Sequence, residues 1–409
     1  MLELRKNKLN LRHLKAFREV AHYKSISKAS SHVHLSQPAI TQAIAKLESI
    51  VGVDLFDRQG NGMFPTEPGE LFLNRTIRAL SYIQQGARIA IEVAATRKSK
   101  GFANFDQLVT SAQLNSLLAI ASAGNFSLAA RLISISQPSL HRTARDLERL
   151  CGLTLYNKTG TGIELTNAAS HLAKHVRLAF YELEQGLEEI ENWRGGDAGR
   201  IVIGTMPLAR TFVLPHAINA LLETKPEVDV NVIDGPYNDL LQGLRYGKID
   251  LLVGALRDPL PIDDVTQVEL FSDTLTIAAR TGHPLLNKHE LNIADLANYP
   301  WIVPRAETPT RTCYDNLFAD TETDKPTHVI EASSLVLIRG LLLGSDHLTI
   351  ISSHQISHEI EDGLIQSLNF DMGSTSRNIG ITLRKNWHPT LTQSLFLKLL
   401  REAGNHVHK

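Results

Sequence analysis

One register of self-similarity restricts this chain more than any other feature. Residues 11–70 align without a gap on residues 111–170, at a constant offset of 100. Identities fall at Leu14/Leu114, Ala21/Ala121, Ser27/Ser127, Ala29/Ala129, Ser36/Ser136, Gln37/Gln137, Pro38/Pro138, Leu47/Leu147, Glu48/Glu148, Gly52/Gly152, Leu55/Leu155, Gly60/Gly160, Gly62/Gly162 and Thr66/Thr166. Conservative pairs such as Phe17/Leu117, Ile26/Phe126, Phe56/Tyr156 and Arg58/Lys158 lie between them. A register held over that length means that one domain occurs twice.

The pattern within a copy describes a small helical fold. Leu14, Phe17, Val20 and Ala21 share one helix face. Ser25 and Ser27 offer N-caps for a short second helix, and Ser36 caps a third whose first turn tolerates Pro38. Ile40, Ile44 and Leu47 form the buried stripe of that third helix, which leaves Gln37, Thr41, Gln42 and Lys46 outward. Gly52 is a left-handed C-cap. Leu55 to Thr66, turning at Gly60-Asn61-Gly62, reads as a β-hairpin wing. Helix, turn, helix and wing is a geometry in which the last helix enters the major groove.

The string from Ser25 to Gly69 resembles the N-terminal module of the LysR-type transcriptional regulators. Ser-Gln-Pro-Ala, Leu-Glu, Gly, Leu-Phe-x-Arg and Thr-x-x-Gly stand at that family's spacing, although its members normally carry one such module. Side-chain chemistry then assigns roles at double-stranded promoter DNA. Gln37, Gln42 and Arg142 suit base edges, and Pro38 and Thr41 suit the thymine methyl; Gln137, Pro138 and His141 take the corresponding places at the DNA in the second copy. Ser36, Lys46, Arg58 and Lys158 suit phosphates. The second copy has His141 for Thr41 and Ala169 for Gly69, yet keeps Arg142 and Arg145. Two roles therefore stay open for it: DNA binding, or dimerisation and partner binding.

Each module runs into an amphipathic helix. Leu172, Val176, Ala179, Leu183, Leu187, Ile190 and Trp193 follow in three- and four-residue steps, and Phe72, Ala79, Ile83, Ala87 and Ala90 keep the same phase. In the resembled family the corresponding helix pairs two chains, which implies a homodimer or homotetramer here. Polar Thr96–Gly101 reads as the boundary between copies, and Gly195 to Gly199 as a hinge.

From Arg200 the apolar period changes to alternating strands and helices, which predicts a parallel sheet with helices on both faces. Gly-Lys-Ile-Asp-Leu-Leu-Val-Gly, Arg-x-Gly-His-Pro-Leu and Ser-Asp-His-Leu-x-Ile-Ile-Ser resemble the LysR-type effector domain, nearest to regulators of sugar-binding proteins and aromatic-acid catabolism. The resemblance implies a two-lobed α/β fold like type 2 periplasmic binding proteins, with a small organic anion or sugar-related metabolite between the lobes. Expected contacts, beyond strand ends and at helix starts, are Thr205, Met206, Leu256, Arg305, Thr308, Thr310, Arg311, Ser333 and Ser334. Arg305 and Arg311 suit a carboxylate, and equally a surface ion pair.

The expected chain is thus multidomain: winged helix-turn-helix modules over 9–66 and 109–166, linker helices over 67–98 and 167–196, and an effector-binding domain over 199–405. Charge agrees with a polyanion at the first module: residues 1–100 carry a balance of +8, against −2 over 101–198 and −7 beyond. The N-terminus lacks a secretory signal, no stretch is apolar enough to cross a membrane, and two cysteines fit a reducing cytoplasm. Cys151 replaces Val51 in the repeat and reads as a core residue. No cofactor, metal or catalytic apparatus is expected. His32 and His34 point different ways, Gly60-x-Gly62 lacks a third glycine, and there is no Walker lysine or serine elbow. The expected function is regulation of transcription, with RNA polymerase a possible partner.

Overall fold

The computed structural model describes residues 9–33, 35–94, 105–160, 162–196, 199–306, 308–319 and 325–405. His34, the Thr96–Gly101 boundary and Asp197-Ala198 of the hinge lie outside them. The chain divides into two compact units, Met1–Arg200 and Ile201–Lys409.

In the first unit one element order occurs twice. Helices α1 (Leu11–Tyr23), α2 (Ile26–Val33) and α3 (Gln37–Val51) precede hairpin strands β1 (Phe56–Gln59) and β2 (Gly62–Pro65) and the long helix α4 (Glu67–Val93). After the short α5 (Phe105–Leu108) come α6 (Ser111–Ala123), α7 (Phe126–Leu132), α8 (Gln137–Cys151), β3 (Tyr156–Thr159), β4 (Gly162–Leu165) and α9 (Asn167–Trp193). The stops are those the residues require. Ser36 and Ser136 accept the Ala39 and Ser139 amides, and Gly52 and Gly152 take positive φ angles of 87° and 65°. Ser25 caps α2, whereas Ser27 lies inside it; Asn125 caps α7. Each hairpin docks on the end of its first helix, through Met63 N–H to the Lys24 carbonyl and Ile163 N–H to the Gly124 carbonyl. A side chain at Gly62 or Gly162 would strike those carbonyls, at 2.6 and 2.5 Å. Cys151 is fully buried, and burial with the nearby Glu148 charge pushes its thiol up to about 12.

The seams of α4 and α9 meet each other. Phe72, Ala79, Ile83 and Ala87 share one core with Leu172, Val176, Ala179, Leu183 and Leu187. Arg75 reaches Glu182 at 2.9 Å and also pairs with Glu189, while Arg78 meets Glu182 at 2.9 Å. Arg75 is only 5% exposed and Glu182 only 2%. Burial alone lowers the Arg75 pKa, but hydrogen bonds and charge from Glu189 and Glu182 reverse this, so the guanidinium titrates above its usual range. The helices run antiparallel, with Gly86 against His175 and Gly186 against Arg75. The stripe expected to pair two chains is therefore covered within one. Periodicity fixes which face is buried, not which partner buries it.

The second unit holds two mixed five-stranded sheets. Strands β5 (Arg200–Thr205), β6 (Asp229–Asp234), β7 (Leu251–Ala255), β8 (Val265–Asp273) and β14 (Arg377–Arg384) form the first, in order β6-β5-β7-β14-β8. β9 (Leu275–Arg280), β10 (Trp301–Val303), β11 (Val329–Glu331), β12 (Leu348–Ser352) and β13 (Ile365–Ser367) form the second, in order β11-β10-β12-β9-β13. β5 and β7 are parallel, but β14 runs antiparallel to both β7 and β8. This corrects the expected parallel sheet: β14 returns from the second lobe without a βαβ crossover, so nothing imposes a parallel direction. Helices α10 (Val213–Thr224) and α16 (Leu391–Asn405) bury Leu214, Leu221, Phe396 and Leu400 in the first lobe's core; α11 (Tyr237–Arg245) buries Leu240, Leu241 and Leu244 in a separate cluster. In the second lobe α13 (Pro309–Leu317) packs Tyr314 on Trp301, and α14 (Leu335–Gly344) buries Ile338 and Leu342. The short helices α12 (Ile293–Ala297) and α15 (Ser357–Glu361) complete that lobe.

Candidate DNA-facing helices and ligand cleft

On α3 the buried residues Ile40, Ala43, Ile44 and Leu47 leave one outward face. Pro38, Gln42 and Lys46 are exposed on it, with Arg58 exposed on the hairpin. Gln37 donates to Ser27 Oγ at 3.3 Å, and Thr41 Oγ1 donates back to the Gln37 carbonyl at 3.1 Å. Ser36 Oγ is engaged as the helix cap, at 3.4 Å from the Ala39 amide. On α8 the corresponding Gln137, Pro138 and Arg142 are exposed, as is Lys158 on the second hairpin. Ser127 Oγ donates to Gln137 Oε1 at 2.9 Å, so both glutamines are tethered to the same serine of the preceding helix. His141 departs from this parallel. Its ring stacks on Phe126 at 3.8 Å, and burial followed by the Arg145 and Lys158 charges lowers its pKa.

The preceding helices differ more. Where α2 has Lys28 and His32, α7 has Leu128 and Leu132, which are 51% and 64% exposed, and Ile135 follows at 38%. His32 stacks on Tyr23 at 4.4 Å.

Between the two lobes of the second unit lies a cleft of about 900 Å³. Of the residues expected there, Met206, Arg305, Thr308, Thr310 and Ser333 line it. Thr205 is fully buried, and Leu256 donates its amide to the Asn378 carbonyl outside the lining. Arg311 faces Asp315 at 3.2 Å and Glu331 at 3.3 Å, the ion-pair alternative, and Ser334, outside the cleft lining, stands at the N-cap of α14 without a side-chain capping hydrogen bond. Thr308 caps α13 by accepting the Arg311 amide, so its hydroxyl is already engaged.

Sequence reasoning missed Arg257 and Arg377. Arg257 lies 4.6 Å from the Tyr237 ring centre, and burial, with the Arg377 charge, holds its pKa below the usual guanidinium range. Arg377 pairs with buried Asp273 at 2.9 Å and donates to Thr310 Oγ1 at 2.7 Å. Asp273 also accepts from Ser352 Oγ and His354 Nδ1, at 2.6 and 2.9 Å. Asp273 ends β8 and Arg377 starts β14, so this knot sits where the chain passes between lobes. No local motif marks either arginine: Arg377 meets Thr310 and Asp273 from 67 and 104 residues away along the chain. Among the described residues no cluster of His, Cys, Asp or Glu suits a metal ion, and no helix is long and apolar enough to cross a membrane.

Two family models match the chain. Residues 194–405 match the LysR substrate binding domain, and residues 11–70 and 111–170 each match the bacterial regulatory helix-turn-helix protein, lysR family. The HTH-type transcriptional regulator GalR of Pseudomonas putida is 32% identical over 92% of this chain and 92% of its own length. The HTH-type transcriptional regulator PcaQ of Agrobacterium fabrum is 26% identical over 74% of this chain and 97% of its own. Among solved structures, a full-length OxyR mutant of Pseudomonas aeruginosa shares the fold with a TM-score of 0.52 at 20% identity, over 72% of this chain and 94% of that one. With helix-turn-helix segments before residue 200, the family's binding domain after it and a regulator alike over nine-tenths of both chains, this chain belongs to the LysR-type transcriptional regulators.

Proposed function

We propose that the chain carries two winged helix-turn-helix modules, over 9–66 and 109–166, that both face promoter DNA, and that a small organic anion bound between the lobes of residues 199–405 controls them. The observation that carries the reading is the duplicated outward face of α3 and α8. The same cap, proline and tethered glutamine recur on both, followed by exposed Gln42 or Arg142 and by a cationic hairpin residue, Arg58 or Lys158. Gln37, Gln42, Gln137 and Arg142 are the base readers; Lys46, Arg58 and Lys158 hold phosphates. The anion is inferred from Arg257, Arg305 and Arg377 at the cleft, with the hydroxyls of Thr310 and Ser333 beside them. Its effect on DNA follows only from unequal affinity for two arrangements of the chain. The regulator works in the cytoplasm and acts on RNA polymerase at the promoter. Because α4 and α9 cover each other, homo-oligomers assemble through other surfaces.

Exposed Leu128 and Leu132 favour a second reading, in which the second module docks a protein instead of DNA. A nuclease footprint on DNA upstream of the protein's own gene separates the two. Protection over several helical turns, shortened at one edge by Arg142→Ala, supports two DNA-facing modules. An unchanged footprint favours protein docking, and no protection at low salt overturns the DNA reading altogether.

A further inference from the structure

The two copies are related by an internal two-fold arrangement, visible as reciprocal contacts. A Cβ built on Gly86 would stand 2.6 Å from His175 Cβ, and one built on Gly186 would stand 3.1 Å from Arg75 Cβ. Residues 75 and 175, like 86 and 186, are repeat equivalents, so position i of one copy meets position j of the other in both directions. That reciprocity is the mark of an isologous, two-fold interface. Near the axis, the equivalents at 11 and 111 touch directly, the Leu11 amide donating to Ser111 Oγ at 3.1 Å.

Symmetric pairs of helix-turn-helix modules read palindromes, because the operator mirrors the two-fold axis of the protein. Here the axis lies within one chain, and the reading faces obey it only in part. Gln42 becomes Arg142, Thr41 becomes the stacked His141, and Lys46 becomes Asp146, which pairs with Arg149 at 3.2 Å. Glutamine matches adenine N6 and N7, whereas arginine matches guanine O6 and N7. We infer that a single chain is the complete two-headed reader, and that its partner is a duplex with two unlike half-sites in fixed order. The half under α3 carries adenine where the half under α8 carries guanine. A chain bound this way lies on its site in one direction only, so the site carries polarity that a palindrome lacks.

This inference rests on the proposal that both modules face DNA, and selection of binding sites from random duplexes by the full-length protein tests the two separately. The wild type is expected to enrich a bipartite site with unlike halves. Arg142→Gln should lower affinity for that site about tenfold, the order of one lost bidentate base contact. Its own selected site should move towards an inverted repeat, and Gln42→Arg should do the same from the other side. A wild-type inverted repeat with identical halves overturns the inference while leaving two DNA-facing modules intact. So does a bipartite site that Arg142→Gln leaves unchanged. Enrichment of one half-site alone overturns it and the role of the second module together, and no enrichment overturns DNA reading as a whole.

Discussion

The two copies share a scaffold and differ at its surface. Both bury the same kind of residue at the same places, Leu14 and Leu114, Ala29 and Ala129, Leu47 and Leu147, Leu55 and Leu155. Both hold the third helix by the same device, a Glu48 or Glu148 carboxylate accepting the amide of the leucine that begins the hairpin segment, at 3.0 and 2.8 Å. Outside that frame the copies diverge: Lys28 against Leu128, Gln42 against Arg142, Lys46 against Asp146. Core positions answer to packing, which is similar in the two copies, while surface positions answer to whatever each copy touches. The surface difference is therefore the informative one.

The largest test of this comparison strikes what joins the copies. Glu182→Ala strips a partner from both Arg75 and Arg78 and leaves a buried guanidinium short of charge, a loss of about 3 kcal/mol. Amide exchange of α4 and α9 in urea should then show both helices opening together. If only α9 loosens, the copies are energetically independent and the internal pair is not what holds them.

Next comes a packing asymmetry within the frame. A Cβ on Gly69 would lie 2.1 Å from the Leu55 carbonyl oxygen, yet Ala169 occupies the equivalent place fully buried. Gly69→Ala should cost about 1–3 kcal/mol through forced backbone movement, and Ala169→Gly under about 1 kcal/mol, both read as shifts of the unfolding midpoint. Equal costs would mean that the hairpin sits at the same distance from its linker helix in both copies.

The smallest effect is on pH. His141 titrates below its ordinary value in the fold, so the unfolded chain takes up its proton first as pH falls below about 6.5. The stability contribution present above that pH is lost on the way down to the folded pKa. His141→Thr, which copies the first module, should flatten the acid limb of stability for α8. An acid limb unchanged by this substitution would show that the stack on Phe126 leaves the ring free to protonate.

Much of this protein was legible in its sequence because the relevant signals are local. A serine cap, a proline in the first turn and a glycine at positive φ act within a few residues, and they placed α3 and α8 with their outward faces. The repeat itself needed only a comparison of the chain with itself. Strand Arg200–Thr205 and the cleft-lining Met206, Arg305, Thr308, Thr310 and Ser333 followed from the same short-range logic. Among the cleft-lining residues that went unseen are Arg257, just after β7, and Arg377, whose place depends on β14 returning from the second lobe to lie between β7 and β8. Leu256 and Arg311 failed to line the cleft because nearness along the chain to a lining residue does not set the direction of a side chain.

By itself, then, the sequence determined that one module occurs twice, which helices face outward in it, and that an alternating α/β domain follows. Only the tertiary structure decided that the linker seams close on each other, that Arg75 finds Glu182 and Glu189 across a separation of more than 100 residues, and that the second unit's sheets are mixed. The reason is physical: an amphipathic stripe states that a face must leave water, but every apolar face satisfies that demand equally, and only shape, the close approach at Gly86 and Gly186, and matched charge select which one it meets.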